Sequence, residues 1–142
     1  MNVLNTALFW LHFMALSLGG LASFGIPLLA ARMPTADPAA RPVLAQAIQR
    51  FSKLGAAAIG TLILTGAILV FSKYNGVSQL GGWFWLKMGL VVVLVGVIAY
   101  NRRLGARAMQ GDAQAARQGA VMARVAIALL AAVVGAAVLA FG

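Results

Sequence analysis

The sequence predicts an all-α integral membrane protein, a four-helix bundle that forms a single domain of residues 1–142. Hydrophobic residues make up 63% of the 142 positions, charged residues make up only 9%, and the apolar residues fall into four long stretches. A soluble domain carries about 25% charged residues, whereas a helix surface that faces lipid requires none. The lipid bilayer is therefore the predicted environment of this chain.

Each apolar stretch is long enough to cross a bilayer as a helix, because a hydrocarbon core of about 30 Å needs roughly 17–25 helical residues. The first span is predicted over residues 3–31. The other three are predicted over residues 54–71, 83–100 and 125–141. Four helices of this length account for most of the chain.

The connectors carry the polar and helix-breaking residues. In the first connector, Asp37 followed by Pro38 is typical of a helix start, with the aspartate as N-cap and the proline in the first turn. The second helix is thus expected to begin well before its apolar part. The Asn-Gly pair at 75–76 predicts a turn after the second span, and the polar segment 101–124 is expected to extend as helix into water.

The basic residues predict the orientation. The second connector carries Lys73 alone, whereas the first and third connectors with their flanks carry Arg32, Arg41, Arg50, Lys53, Arg102, Arg103, Arg107, Arg117 and Arg124. Cytoplasmic loops are enriched in lysine and arginine, so a bacterial inner-membrane location with both termini in the periplasm is expected. This loop placement also explains the net charge of +9 without nucleic-acid binding.

The rare residue types exclude several classes of site. The chain has no cysteine, which excludes disulfides, thiolate metal sites, iron–sulfur clusters and c-type haem attachment. The single histidine excludes a bis-histidine haem within one subunit. The two acidic residues, Asp37 and Asp112, fall in predicted loops, so paired-carboxylate catalysis and a Ser-His-Asp triad at membrane depth lack their components.

Only His12 and Lys87 are ionisable residues well inside a predicted span. Such residues are costly in hydrocarbon and commonly mark a site. His12 could bind haem iron, bind copper or relay a proton, or it could simply be hydrogen-bonded to a Ser or Thr hydroxyl or to a carbonyl. Lys87 lies one turn beyond Trp83 and could hold an anion or extend its ammonium to the membrane surface. Because both residues fall in the predicted outer half of the bilayer, a shared site is one hypothesis.

Two methionines adjoin these residues in sequence. A thioether is a soft ligand that suits Cu(I), so His12 and Met88 form a candidate metal-ligand set. Met14 is two positions from His12 and therefore points to a different side of the helix. Packing is the alternative role for both methionines.

Small residues at four-residue spacing indicate helix contacts, because helices in lipid associate by close packing. Thr61 and Thr65 lie one turn apart. They are expected to bond to their own helix backbone, with the lining of a polar pocket as the alternative. The predicted contact rows are Ala15-Gly19-Ser23, Ser52-Ala56-Gly60 and Ala128-Ala132-Ala136.

Three segments resemble the copper resistance protein D (CopD) domain. The first helix contains LHFMALSLGGLASFGIPLL, with a Leu-His pair before Gly-Gly and an aromatic residue. The second and third helices contain RFSKLGAAAIGTLILTGAIL and WLKMGLVVVLVGVIAYNRRL, which are similar to the Phe-Ser-Lys opening, the Leu-Thr-Gly element and the Lys-to-Asn-Arg run of that domain. The resemblance covers nearly the whole chain and implies copper handling or uptake.

A more distant similarity is to the HemJ family of four-helix membrane proteins, which is tied to protoporphyrinogen oxidation and haem binding. The matching residues would be His12 and Lys87, whereas Pro27 lacks the following arginine of that family and the fourth helix lacks its Asn and Glu. The expected ligands are therefore copper or, alternatively, haem b with His12 as an axial ligand. A homo-oligomer, or a non-catalytic subunit of a larger membrane complex, is a further alternative, and enzyme activity stays open.

Overall fold

Four α-helices make up the computed structural model, which describes residues 2–74, 78 and 80–141. They are α1 (Val3–Arg32), α2 (Arg41–Tyr74), α3 (Gly82–Met109) and α4 (Ala113–Phe141). The described part of the chain contains no strand. All four helices are long and apolar enough to cross a membrane. The predicted all-α class with four membrane-spanning helices is thus confirmed.

Each helix is longer than the apolar span from which it was predicted. The helices contain 30, 34, 28 and 29 residues, which at 1.5 Å per residue corresponds to about 42–51 Å against a hydrocarbon core of about 30 Å. An average tilt of about 20° shortens them too little to absorb this difference. Polar helix ends therefore extend beyond the hydrocarbon core, as predicted for the beginning of α2.

Asp37 organises the turn that leads into α2. Its Oδ1 accepts a hydrogen bond from Ala39 N at 3.1 Å, and its backbone oxygen accepts bonds from Ala40 N at 2.8 Å and Arg41 N at 3.2 Å. Asp37 therefore stabilises a turn over residues 38–40 rather than serving as the predicted N-cap, and α2 begins at Arg41 rather than at Pro38. The turn predicted at residues 75–76 lies outside the described residues.

The predicted helical extension over residues 101–124 is interrupted by a tight turn between α3 and α4. Gly111 has a φ of 95°, a conformation that glycine adopts without the steric cost of a Cβ. Asp112 then caps α4 by accepting bonds at Oδ1 from Gln114 N and Ala115 N, at 3.1 and 3.0 Å. Its other oxygen pairs with Arg107 at 3.3 Å. The sequence-based expectation of helix is right on both sides of this turn and wrong within it.

The helices pack in sequential pairs within two units, Met1–Gln79 and Leu80–Gly142. In the first unit α1 packs against α2, and in the second α3 packs against α4.

In the first unit the contact seam is built from small residues. A Cβ placed on Gly19 would lie 3.7 Å from the Cβ of Ala58, and one on Gly55 would lie 3.1 Å from the Cβ of Ala22. Residue 19 thus faces 58 and residue 22 faces 55, so the helices are antiparallel. Of the predicted α1 row Ala15-Gly19-Ser23, Ala15 is buried and Gly19 faces Ala58, whereas Ala22 rather than Ser23 faces Gly55.

The other two predicted rows require correction. Ala56 and Gly60 are exposed, and α2 instead presents Gly55 and Ala58 to α1. On α4, Ala128 and Ala132 are exposed, whereas Ala136 is buried as expected, together with Ala115, Ala123, Ala126 and Val133. Alanine and glycine occur on every face of these helices, so spacing alone selected the wrong face. Close packing of particular neighbours decides which face becomes a seam.

Candidate functional site

His12 is joined to α2 by a side-chain hydrogen bond at membrane depth. Its Nδ1 lies 2.8 Å from Oγ1 of Thr65, and the two residues are 53 positions apart in the sequence. Thr65 is 3% exposed, so the bond lies on the buried side of the α1–α2 seam. The imidazole itself is half-buried. A hydrogen bond in this position ties the orientation of the ring to the packing of the hairpin.

The surroundings of Thr65 determine which ring nitrogen carries the proton. Thr65 Oγ1 is 2.6 Å from the carbonyl oxygen of Thr61, a separation that requires the hydroxyl to donate its single proton there. The hydroxyl oxygen then accepts from His12, so the hydrogen-bond pattern places a proton on Nδ1 and leaves Nε2 as the nitrogen on the other side of the ring. The tautomer of His12 is thus inferred from a hydroxyl that has only one proton to give.

A glycine provides the space for the ring. A Cβ placed on Gly66 would lie 3.4 Å from Cε1 of His12 and 4.0 Å from Nδ1. The imidazole therefore lies close to the α2 backbone, and a methyl group at residue 66 would be in van der Waals contact with the ring. Thr65 and Gly66 are adjacent, so one turn of α2 both bonds the ring and makes room for it.

The two threonines match their expected roles and differ in one respect. Thr61 Oγ1 donates to Ala57 O at 2.9 Å, and Thr65 donates to Thr61 O, so both bond to their own helix backbone as predicted. Thr65 additionally accepts from His12, which is the hydroxyl partner proposed as one alternative for the histidine. The sequence offered no signal that would have chosen Thr65 over the other hydroxyl residues.

Lys87 belongs to the second unit and lies near the beginning of α3, three residues after the buried Phe84. Its side chain is half-buried. Farther along α3, Asn101 and Leu104 face α4, because a Cβ on Gly119 of α4 would lie 3.5 Å from Asn101 Oδ1 and 4.0 Å from Leu104 Cβ.

The two methionines lie on more open surfaces. Met14 is 42% exposed and Met88 is 40% exposed. His12 and Met88 belong to different units, so their pairing as metal ligands stays a prediction. Among the residues that the structure describes, no group of three or more His, Cys, Asp or Glu side chains could hold a metal ion.

The family comparison agrees with the first of the two resemblances. A family model described as copper resistance protein D (CopD) matches residues 45–140. The matched range contains Thr65, Gly66 and Lys87, whereas His12 lies before it. Comparisons with curated proteins and with solved structures gave no match.

The matched range covers well over half of the chain. It contains α3 and nearly all of α2 and α4. The helices in this range are long and apolar enough to cross a membrane. The chain is therefore a membrane protein related to copper resistance, and it belongs to the copper resistance protein D family.

Proposed function

We propose that this chain handles copper within the membrane, as an uptake or transfer protein, and that Nε2 of His12 is a copper ligand. The observation that carries the proposal is the 2.8 Å hydrogen bond between His12 Nδ1 and Thr65 Oγ1. A metal-binding histidine commonly donates its second ring N–H to a fixed acceptor, which sets the tautomer and the orientation of the ring. Thr65 supplies such an acceptor.

The available donor types favour Cu(I) over other metals. The chain offers one imidazole and several thioethers, with no thiolate and no membrane-embedded carboxylate. Soft thioether and imidazole ligands suit Cu(I), whereas carboxylate and carbonyl oxygens suit Mg²⁺ or Ca²⁺. In the second unit, Met88 stays the proposed thioether ligand and Lys87 the proposed polar partner for an anion.

The test is Cu(I) binding by the purified full-length protein, measured by competition with a chromophoric Cu(I) chelator. His12→Ala should abolish binding while the protein still inserts into the membrane and stays monodisperse in detergent. Thr65→Val removes the acceptor and should weaken binding by about tenfold, the low end of the effect of an outer-shell partner, whereas Thr65→Ser should retain it. Full copper retention by His12→Ala, or aggregation of that variant, would refute the site.

The same geometry also suits a haem iron ligand, which is the second candidate. An axial histidine is likewise oriented by a hydrogen bond from its second nitrogen, so His12 could hold haem b through Nε2. The optical spectrum of the purified protein separates the two. A Soret band that disappears in His12→Ala supports haem, and a colourless protein that binds copper supports the first proposal. A protein that holds neither ligand supports a role as a non-catalytic subunit of a larger membrane complex.

A further inference from the structure

The second unit continues beyond the apolar spans as a firmly packed helical end. We call residues 101–124, together with the α3–α4 turn, the basic tip. Leu104 is 1% exposed and Ala115 is 2% exposed, so two of the most buried side chains of the chain lie in this polar segment. Gly119 packs against Asn101 and Leu104. The basic tip is therefore a packed extension of the α3–α4 pair.

This surface is strongly positive. Its only acidic residue, Asp112, is already occupied by capping α4 and by pairing with Arg107. The positive-inside pattern accounts for the sign of the charge, but it requires neither a folded surface nor a groove. The arginines of the tip, all exposed, are Arg102, Arg103, Arg107, Arg117 and Arg124.

A groove of about 310 Å³ lies between α3 and α4 at the membrane-proximal part of the tip. Its lining changes in character along α4, from Arg117 and Gln118 to Val121 and Met122 one turn nearer the apolar span. Tyr100, at the end of the apolar span of α3, forms the opposite side. The groove thus has a basic and polar end that points away from the hydrocarbon and an apolar end that points toward it.

We propose that this groove binds an anionic phospholipid. Arg117 is placed to donate hydrogen bonds to the phosphate, and the Gln118 amide to the polar headgroup. The first methylene groups of an acyl chain would then pack against Val121, Met122 and the ring of Tyr100, a residue type that favours the membrane interface. The arginine excess of the tip favours a lipid with net negative charge over a zwitterionic one.

The test uses the full-length protein reconstituted into vesicles of phosphatidylethanolamine and phosphatidylglycerol in equal amounts. After extraction in mild detergent, native mass spectrometry quantifies the lipids that stay bound. Wild type should retain phosphatidylglycerol in preference to phosphatidylethanolamine. Arg117→Gln should lower this retention about fivefold, the loss expected from one basic side chain at an anionic lipid surface. Val121→Ser should also lower it, because the acyl contact is weakened.

Arg102→Gln is the matched control, since it removes the same charge from an exposed position that does not line the groove. It should lower phosphatidylglycerol retention clearly less than Arg117→Gln does, because Arg102 contributes long-range attraction but no contact within the groove. Equal losses in Arg117→Gln and Arg102→Gln would show an effect of overall charge and overturn the groove. Displacement of the lipid by inorganic phosphate, or no preference in wild type, would also overturn the proposal.

Discussion

The orientation of the His12 ring depends on its hydrogen bond to Thr65, which is 53 positions later in the chain. The proton that Thr65 donates to Thr61 O forces Nδ1 of His12 to be the donor in the bond between them. A lone imidazole in a membrane helix thereby becomes a single, oriented tautomer. At this scale the candidate site depends on two features. The hydroxyl of Thr65 orients the His12 ring, and Gly66 has no side chain that would contact it.

Gly66→Ala should weaken ligand binding without unfolding the protein. The new Cβ would lie 3.4 Å from Cε1 of His12, at the tight limit of ordinary van der Waals contact, so the ring loses the clearance that it needs to adjust to a ligand. Gly60→Ala is the matched control, because a Cβ there meets nothing within 4 Å. Titration with the chelator-buffered metal compares the two variants. Equal affinities in both would show that the ring position has no influence on binding.

Substitutions of Lys87 test whether its half-buried position on α3 has a function. A lysine that only extends its ammonium to the membrane surface tolerates Lys87→Arg, because arginine also has a long stem and a positive head. We expect Lys87→Arg and Lys87→Met both to impair copper transfer across vesicles, because neither side chain replaces the compact ammonium of lysine. Both should insert normally, which protease protection checks. Wild-type transfer rates in both variants would assign Lys87 to the membrane interface alone.

At the scale of the helices, stability is determined by which face of each helix is closely packed. The α1–α2 seam uses Gly19, Ala22, Gly55 and Ala58, whose small side chains bring the backbones together. In lipid this close approach replaces the hydrophobic exclusion that drives packing in water. The exposed Ala56 and Gly60 have the same composition and yet make no such contact within the unit.

Gly55→Leu should therefore destabilise the α1–α2 pair, whereas Ala56→Leu should not. A Cβ at residue 55 already lies 3.1 Å from the Cβ of Ala22, so a larger side chain overpacks the seam at a cost of about 1–3 kcal/mol. Thermal unfolding in detergent, followed by circular dichroism, measures the difference between the variants. A melting temperature for Gly55→Leu equal to that of Ala56→Leu would contradict the assigned seam.

At the scale of the whole molecule, four spans and an uneven distribution of charge predict a topology. An even number of spans places both termini on the same side of the membrane. Nine basic residues flank or lie in the first and third connectors, whereas the second contains one. The basic residues therefore favour cytoplasmic first and third connectors.

Reporter fusions test this orientation. A fusion after Gly142 should report the periplasm and a fusion near Gln110, in the α3–α4 turn, should report the cytoplasm, because the arginines around that turn resist translocation. Alkaline phosphatase and green fluorescent protein are suitable reporters, since each is active on one side only. A cytoplasmic signal at Gly142 would reverse the topology. It would also remove the basis for placing His12 and Lys87 in the outer half of the bilayer.

The sequence alone determined the class, the number of helices and the approximate spans. These follow from local composition, because any run of about 20 apolar residues must be helical in lipid to satisfy its backbone hydrogen bonds. The sequence also singled out His12 and Lys87, since titratable residues in hydrocarbon are rare.

Only the tertiary structure decided which helix faces meet, which hydroxyl forms a hydrogen bond with His12, and where α3 ends and α4 begins. A soluble helix reveals its buried face by the contrast between apolar and polar residues. A membrane helix has no such contrast, because its lipid-facing and helix-facing sides are equally apolar. The seams at Gly55–Ala22 and Gly19–Ala58, and the pairing of His12 with Thr65, depend on contacts between helices. Spacing within one helix predicted part of the α1 face, at Ala15 and Gly19, but not the α2 and α4 faces.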